Sequence, residues 1–191
     1  VLKDTGNIVS EIRTAVIGVG YLGKFHAQKY SQLKNSKLLA VVDKDFEKAQ
    51  EVAKGNNCAA IADYHELLGQ VDAVSIVVPT DLHFDIARDF LQHRSHVLVE
   101  KPITNTLEQA DTLINLAEQH SRILQVGHLE RFNPAILALE QELSEARFIE
   151  SHRLAPYNPR GSEVNVVLDL MIHDIDIILD IVDSELEKID A

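Results

Sequence analysis

Four groups of residues have the types and spacing to do chemistry. Gly18, Gly20 and Gly23 form Gly-x-Gly-x-x-Gly, with Val19, Tyr21 and Leu22 between them, directly after the apolar run Ala15-Val16-Ile17. In such a turn the first glycine permits a tight exit from a strand. The second lets a pyrophosphate approach the backbone, and the third lets the next helix sit close to the sheet. That helix, expected to begin near Gly20, would offer phosphate its free N–H groups and positive dipole end. Asp43 closes a second apolar run, Leu38 to Val42, about twenty residues past the last glycine. A carboxylate there accepts hydrogen bonds from an adenosine ribose and repels a 2′-phosphate, so the pattern predicts NAD rather than NADP. Lys101, within Glu100-Lys101-Pro102, can polarise a substrate oxygen and stabilise a developing alkoxide. Proline fixes the backbone after it, with a cis bond open to it. Asp169 and His173 stand at helical spacing and share one face. With a reference pKa of about 6.5, an imidazole suits proton transfer, and a carboxylate can orient it.

Each group also has a plainer reading. Glycine-rich turns can serve packing alone, Asp43 can be a turn residue of Asp-Lys-Asp, and Lys-Pro is a common surface turn. The carboxylates of the late helix can form a solvated stripe, the reading taken here for Asp180 and Asp183.

The elements that must position these residues follow from periodicity. Leu38 to Val42, Ala59 to Ile61, Val71 to Val78, His96 to Val99 and Ile123 to Val126 read as strands after the first one. Helices are expected over Asp45 to Lys54, Leu82 to Leu91 and Thr106 to Gln119, with a short capped helix at Asp63. Strands alternating with helices predict an α/β fold, a doubly wound parallel Rossmann sheet. Ligands in such sheets sit beyond the carboxyl ends of the strands. This singles out Gly18 to Gly23, Asp43, Pro79-Thr80, Glu100-Lys101 and Gly127-His128. The expected organisation is an N-terminal arm over residues 1–11, a dinucleotide-binding domain over 12–127, and the start of a second domain over 128–191. In the latter, a helix after Pro134, a strand over Arg147 to Leu154, a Pro/Gly loop over Tyr157 to Ser162, a long helix over Val164 to Val182 and another strand from Leu186 predict an incomplete, truncated α+β domain.

Composition narrows the function classes. The 191 residues are 46% hydrophobic and 25% charged, as in a globular chain, and the formal net charge is −12. That balance argues against a nucleic-acid partner, which would need clustered Lys and Arg. Cys58 is the single cysteine, so no intrachain disulfide forms, and no Cys–His grouping has zinc spacing. No metal site is expected, and a cytoplasmic location is. No run approaches membrane-spanning length, and no signal peptide is visible.

Taken in order, GVGYLG with Asp43, PTDLH at Pro79 to His83, EKP at Glu100 to Pro102, and Asp169-x-x-x-His173 resemble the glucose–fructose oxidoreductase/inositol dehydrogenase (Gfo/Idh/MocA) family. Within it, GHLERFNPA at Gly127 to Ala135 and VVLDLMIHDIDIIL at Val166 to Leu179 look most like the UDP-N-acetylglucosamine 3-dehydrogenase group. The resemblance implies a two-domain NAD-dependent oxidoreductase acting on a small-molecule sugar or sugar nucleotide, with C3 of UDP-N-acetylglucosamine as the expected position. The alternatives are an inositol or simple-sugar dehydrogenase and a non-catalytic NAD-binding regulator. It further implies a homo-oligomer built through the second-domain sheet. By carry-over, Lys101, His173 and Asp169 are catalytic. Gly18, Gly20, Tyr21, Leu22, Gly23 and Asp43 hold the cofactor, with Pro79, Thr80, His83, Glu100 and Lys101 at its nicotinamide half. For His83 the alternative is a helix residue packing on the sheet. Arg131, Asn133 and Arg160 are implied as substrate contacts, arginine because its planar fork suits a diphosphate.

Overall fold

The computed structural model describes residues 11–140, 146–154, 165–182 and 184–190. The chain divides into two compact units, one ending at Gly127 and the other beginning at His128.

The first unit is built on six parallel strands: β1 Ile12–Ile17, β2 Ser36–Val42, β3 Ala59–Ile61, β4 Ala73–Ile76, β5 His96–Val99 and β6 Leu124–Val126. Their order is β3-β2-β1-β4-β5-β6, and every pairing is parallel. The order reverses between β1 and β4, the switch point at which such sheets open a crevice. Helices α1 Gly23–Gln32, α2 Phe46–Asn56, α3 His83–Gln92 and α4 Leu107–Gln119 complete the crossovers. This is the doubly wound Rossmann sheet that the alternating pattern predicts.

Alternation along β1 sorts the two sides of the core. Val16 packs in one cluster with Val19 of the turn, Val41 of β2, and Ala27, Ala49 and Ala53 of the α1 and α2 layer. Ala15 and Ile17 pack with Phe90, Leu91, Leu113 and Ala117 of the α3 and α4 layer. Strands buried on both faces read as the continuous apolar runs seen in the sequence. Fully burying each large side chain contributes about 1.5–3 kcal/mol. Helix starts follow local chemistry: Asp45 accepts from Lys48 N and Thr106 from Gln109 N, and Asp63 accepts from His65 N at its tight turn. Helix α1 begins at Gly23 rather than near Gly20, because Gly20 to Leu22 form the turn itself.

The second unit differs from its expected outline. A tight turn over Leu129–Phe132 leads into α5 Pro134–Glu140. The long apolar helix forms, but its first part, Val167–Met171, is wound as a π-helix before α6 Ile172–Ile181. No strand forms over 147–154 or 186–190. A strand exists only through a ladder partner, and among the described residues this unit holds none. Residues 1–10 of the expected arm, the expected loop over 157–162 and Val164 at the start of the expected long helix lie outside the described residues. Among the described residues, no helix is long and apolar enough to cross a membrane.

Candidate cofactor cleft and acid–base helix

At the switch point the first unit opens a cleft of about 500 Å³, lined by Gly18, Gly20, Asp43, Tyr64, Val78 and Pro79 among others. The glycines reach it for separate reasons. Gly18 has φ +86°, and a Cβ there would strike the Val77 carbonyl. A Cβ on Gly23 would strike the Gly18 carbonyl, so the third glycine closes the turn against the first. Gly20 has open space where its Cβ would stand, the clearance a pyrophosphate needs. Asp43 ends β2 with both oxygens in use: Oδ2 accepts from Val19 N at 2.9 Å and Oδ1 from Asp45 N at 3.0 Å. A carboxylate oxygen accepts more than one hydrogen bond, so Asp43 retains capacity for ribose hydroxyls. These features fit a dinucleotide, with Gly18 to Gly23 at its phosphates and Asp43 at its ribose. The side chains of Tyr21 and Leu22 are instead exposed, Tyr21 edge-on to Phe25 with Lys24 over both rings. They contribute backbone to the turn and do not line the cleft.

Tyr64, Lys44, Lys48 and Leu82 line the same cleft and were not read from the sequence. Tyr64 donates to Asp89 Oδ2 at 2.9 Å, and burial together with that carboxylate pushes its phenol well above the usual value. The signal was present. Tyr64 follows the carboxyl end of β3, the same kind of position as the other strand ends that border the cleft.

Beyond β4 and β5, Pro79 and Thr80 open the turn before α3, and Lys101 is half-buried ahead of a cis Pro102. His83 is 1% exposed and lies beneath both loops. Its Nδ1 stands 2.9 Å from the Pro102 carbonyl and its Nε2 2.9 Å from the Val78 carbonyl. Both ring nitrogens thus face backbone and tie the loops after β4 and β5 together. Glu100 is 9% exposed, and its Oε1 lies 3.2 Å from His26 Nε2, within ion-pair range but without hydrogen-bond alignment. Gly127 makes room for it: a Cβ there would meet the Glu100 carboxylate at 3.0–3.2 Å. His26, one turn into α1, was not singled out by motif.

In the second unit Asp169 lies on the π-helical turn and His173 on the first turn of α6, both half-buried. Arg131 does not stand open to a phosphate. Its Nε and Nη2 donate to Asp176 Oδ2 and Oδ1, both at 2.7 Å, and Nη1 reaches Asp180. Asp180 is therefore an arginine partner, which corrects the solvated-stripe reading; Asp183 lies outside the described residues. Asn133 caps α5, accepting from Ala135 N at 3.0 Å and donating to Glu130 at 3.2 Å. Arg160 lies outside the described residues. Arg153 donates to Asp174 at 2.7 and 3.0 Å and holds that carboxyl below its ordinary range. Burial pushes the Asp176 carboxyl up, but the Arg131 hydrogen bonds and the charges of His128, Arg131 and His173 together bring it lower. Among the described residues, no group of three or more His, Cys, Asp or Glu is placed to hold a metal ion.

Residues 12–128 match the family described as "Oxidoreductase family, NAD-binding Rossmann fold" (GFO_IDH_MocA). The chain belongs to this family. Its first unit is accordingly an NAD-binding Rossmann fold, as the glycine turn and Asp43 predict. UDP-N-acetylglucosamine 3-dehydrogenase of Acidithiobacillus ferrooxidans is 47% identical over 169 residues, 88% of this chain and 53% of the relative. A solved structure of that enzyme superposes with a TM-score of 0.84 at 46% identity, covering 91% of this chain and 57% of the other. An inositol 2-dehydrogenase of Mycolicibacterium smegmatis is 30% identical over 192 residues, 95% of this chain and 56% of the relative. The resemblance read from the motifs is thus borne out, and inositol dehydrogenases supply its alternative. The chain spans about half the length of the curated relatives it matches.

Proposed function

We propose that this chain is the cofactor-binding part of an NAD-dependent dehydrogenase that oxidises a ring hydroxyl of a sugar nucleotide, the C3 hydroxyl of UDP-N-acetylglucosamine. The observation that carries the reading is the 47% identity to a UDP-N-acetylglucosamine 3-dehydrogenase over 88% of the chain. Bound NAD would accept the hydride that leaves the carbinol carbon. The Gly18–Gly23 turn would hold its diphosphate and Asp43 its adenosine ribose. Pro79, Thr80, Glu100 and Lys101 would border its nicotinamide half, with His83 fixing the loops that carry them. Lys101 would stabilise charge on the substrate oxygen, and His173 would take the hydroxyl proton, with Asp169 orienting the ring. Arg131 and Asn133 are bound to protein partners, so substrate contact from either requires it to exchange them; Arg160 stays a candidate by resemblance alone. The substrate is a small molecule, and the assembly we propose is a cytoplasmic homo-oligomer.

The inositol dehydrogenase at 30% identity favours a second reading, oxidation of a cyclitol by the same residues. The test is a panel of UDP-sugars and inositols offered to the full-length protein with NAD, followed at the absorbance of NADH. Oxidation of UDP-N-acetylglucosamine in preference to inositols supports the first reading, and the reverse preference supports the second. NAD binding without oxidation of any sugar, sugar nucleotide or cyclitol would make the protein a regulator. Lys101→Ala should abolish turnover while leaving NAD binding largely intact.

A further inference from the structure

Within the second unit, Asp176 is the carboxylate on which the nearby charges converge. Its side chain is 11% exposed, and both oxygens accept from the Arg131 fork. His128 Nδ1 is buried without a hydrogen-bond partner and lies 3.8 Å from Asp176 Oδ2, beyond hydrogen-bond reach. His173 stands one turn before Asp176 on α6, on the same side of the helix. One carboxylate therefore faces two imidazoles and one guanidinium, and the guanidinium has taken both oxygens.

We propose that Arg131 is a positioning residue: its fork on Asp176 and Asp180 offsets the Asp176 charge at His128 and His173, keeping His173 able to exchange its proton. A carboxylate beside an imidazole favours the protonated ring. Without Arg131, Asp176 would hold a proton on His173 or turn to His128. With Arg131 in place, that carboxylate adds little net charge to the ring, and the ring can both take and return a proton. Among the described residues, the other charged groups near this helix are Asp169, Asp174 and Asp180 on the same segment, Glu130 beside Arg131, and Arg153, which neutralises Asp174. The Glu150–His152 pair is exposed on the extended segment. None of these bonds Asp176 as Arg131 does. The role rests on the proposed part of His173 in the reaction, but the charge balance can be read without turnover.

The experiment uses the full-length protein. Ring resonances of His128 and His173 are titrated by NMR in the native protein, Arg131→Gln, Arg131→Lys, Asp176→Asn and the double variant Arg131→Gln/Asp176→Asn. The acid limb of kcat/KM is followed in parallel with the oxidised substrate. Arg131→Gln should move the His173 titration and the acid limb to higher pH, costing roughly threefold in kcat/KM on the acid side and less at alkaline pH. Asp176→Asn should move both to lower pH, the double variant should return toward native, and Arg131→Lys should stay near native because its charge remains. Shifts of the same sign in the two single variants, or a lowered Tm with no titration shift, would make Arg131 a brace only and overturn the proposal. If no substrate is oxidised, the ring titrations still decide it, and the proposed activity falls separately.

Discussion

The two units hold their polar groups by different means. In the first, the decisive side chains are fastened to backbone: Asp43 accepts from two N–H groups, and His83 lies against two carbonyls. In the second, they are fastened to one another, Arg131 to Asp176 and Asp180, Arg153 to Asp174. Backbone partners come with the fold, so the cofactor side is as rigid as the sheet beneath it. Side-chain ion pairs depend on protonation and ionic strength, so the acid–base helix should answer to solution conditions that leave the cleft unmoved.

The contrast can be broken or sharpened by measurement. The largest effect is expected from Phe90→Ala in the fully buried core under β4 and β5, about 3–5 kcal/mol in denaturant unfolding. A loss below 1 kcal/mol would mean that the sheet does not supply the rigidity claimed for it. His83→Leu comes next. It leaves the buried Pro102 carbonyl and the part-buried Val78 carbonyl without their ring partner, at about 1–3 kcal/mol, and should weaken NAD binding through the displaced loops. Unchanged stability and unchanged NAD affinity would remove His83 from the site altogether. Asp43→Asn keeps an acceptor but removes the charge, so the preference for NAD over NADP should fall about tenfold in paired binding titrations, with little change in Tm. A preference that survives would place discrimination elsewhere in the cleft.

The smallest effect concerns pH. The Asp174 and Asp176 carboxyls lie below their ordinary range in the folded unit, so they bind protons less readily there than in the unfolded chain. Their pairs thus stabilise above the ordinary carboxylate range, and the gain disappears as pH falls through that range toward the folded value. Each pair is partly open to solvent and contributes at most about 1 kcal/mol. Hydrogen exchange in α6 should quicken on acidification before exchange in β1 and β4 does. Equal responses in the two units would erase the distinction between them.

How much was legible in the sequence follows the same divide. The strands of the sheet, the helix caps at Asp63 and Thr106, the glycine turn and Asp43 were readable because each is decided within a few residues by period, cap chemistry or glycine. Partnerships across the chain were not. Arg131 looked like a phosphate contact because its fork fits one, and nothing local reveals that it meets carboxylates of a helix far along the sequence. His83 was readable as a cofactor-side or packing residue, but the two carbonyls that meet its ring come from different crossovers. The expected strand at 147–154 had suitable composition, yet composition cannot supply the neighbour a strand requires. The π-turn at Val167–Met171 left no mark in an apolar run that reads equally well in either winding.

Gly127 closes β6 at the point where the Glu100 carboxylate needs its volume. Two strand ends far apart in sequence are thereby bound into a single unit of variation: enlarging residue 127 moves the acid next to Lys101 as surely as replacing that acid would. Anyone diversifying this protein toward new substrates should hold 127 constant, or vary it only together with 100.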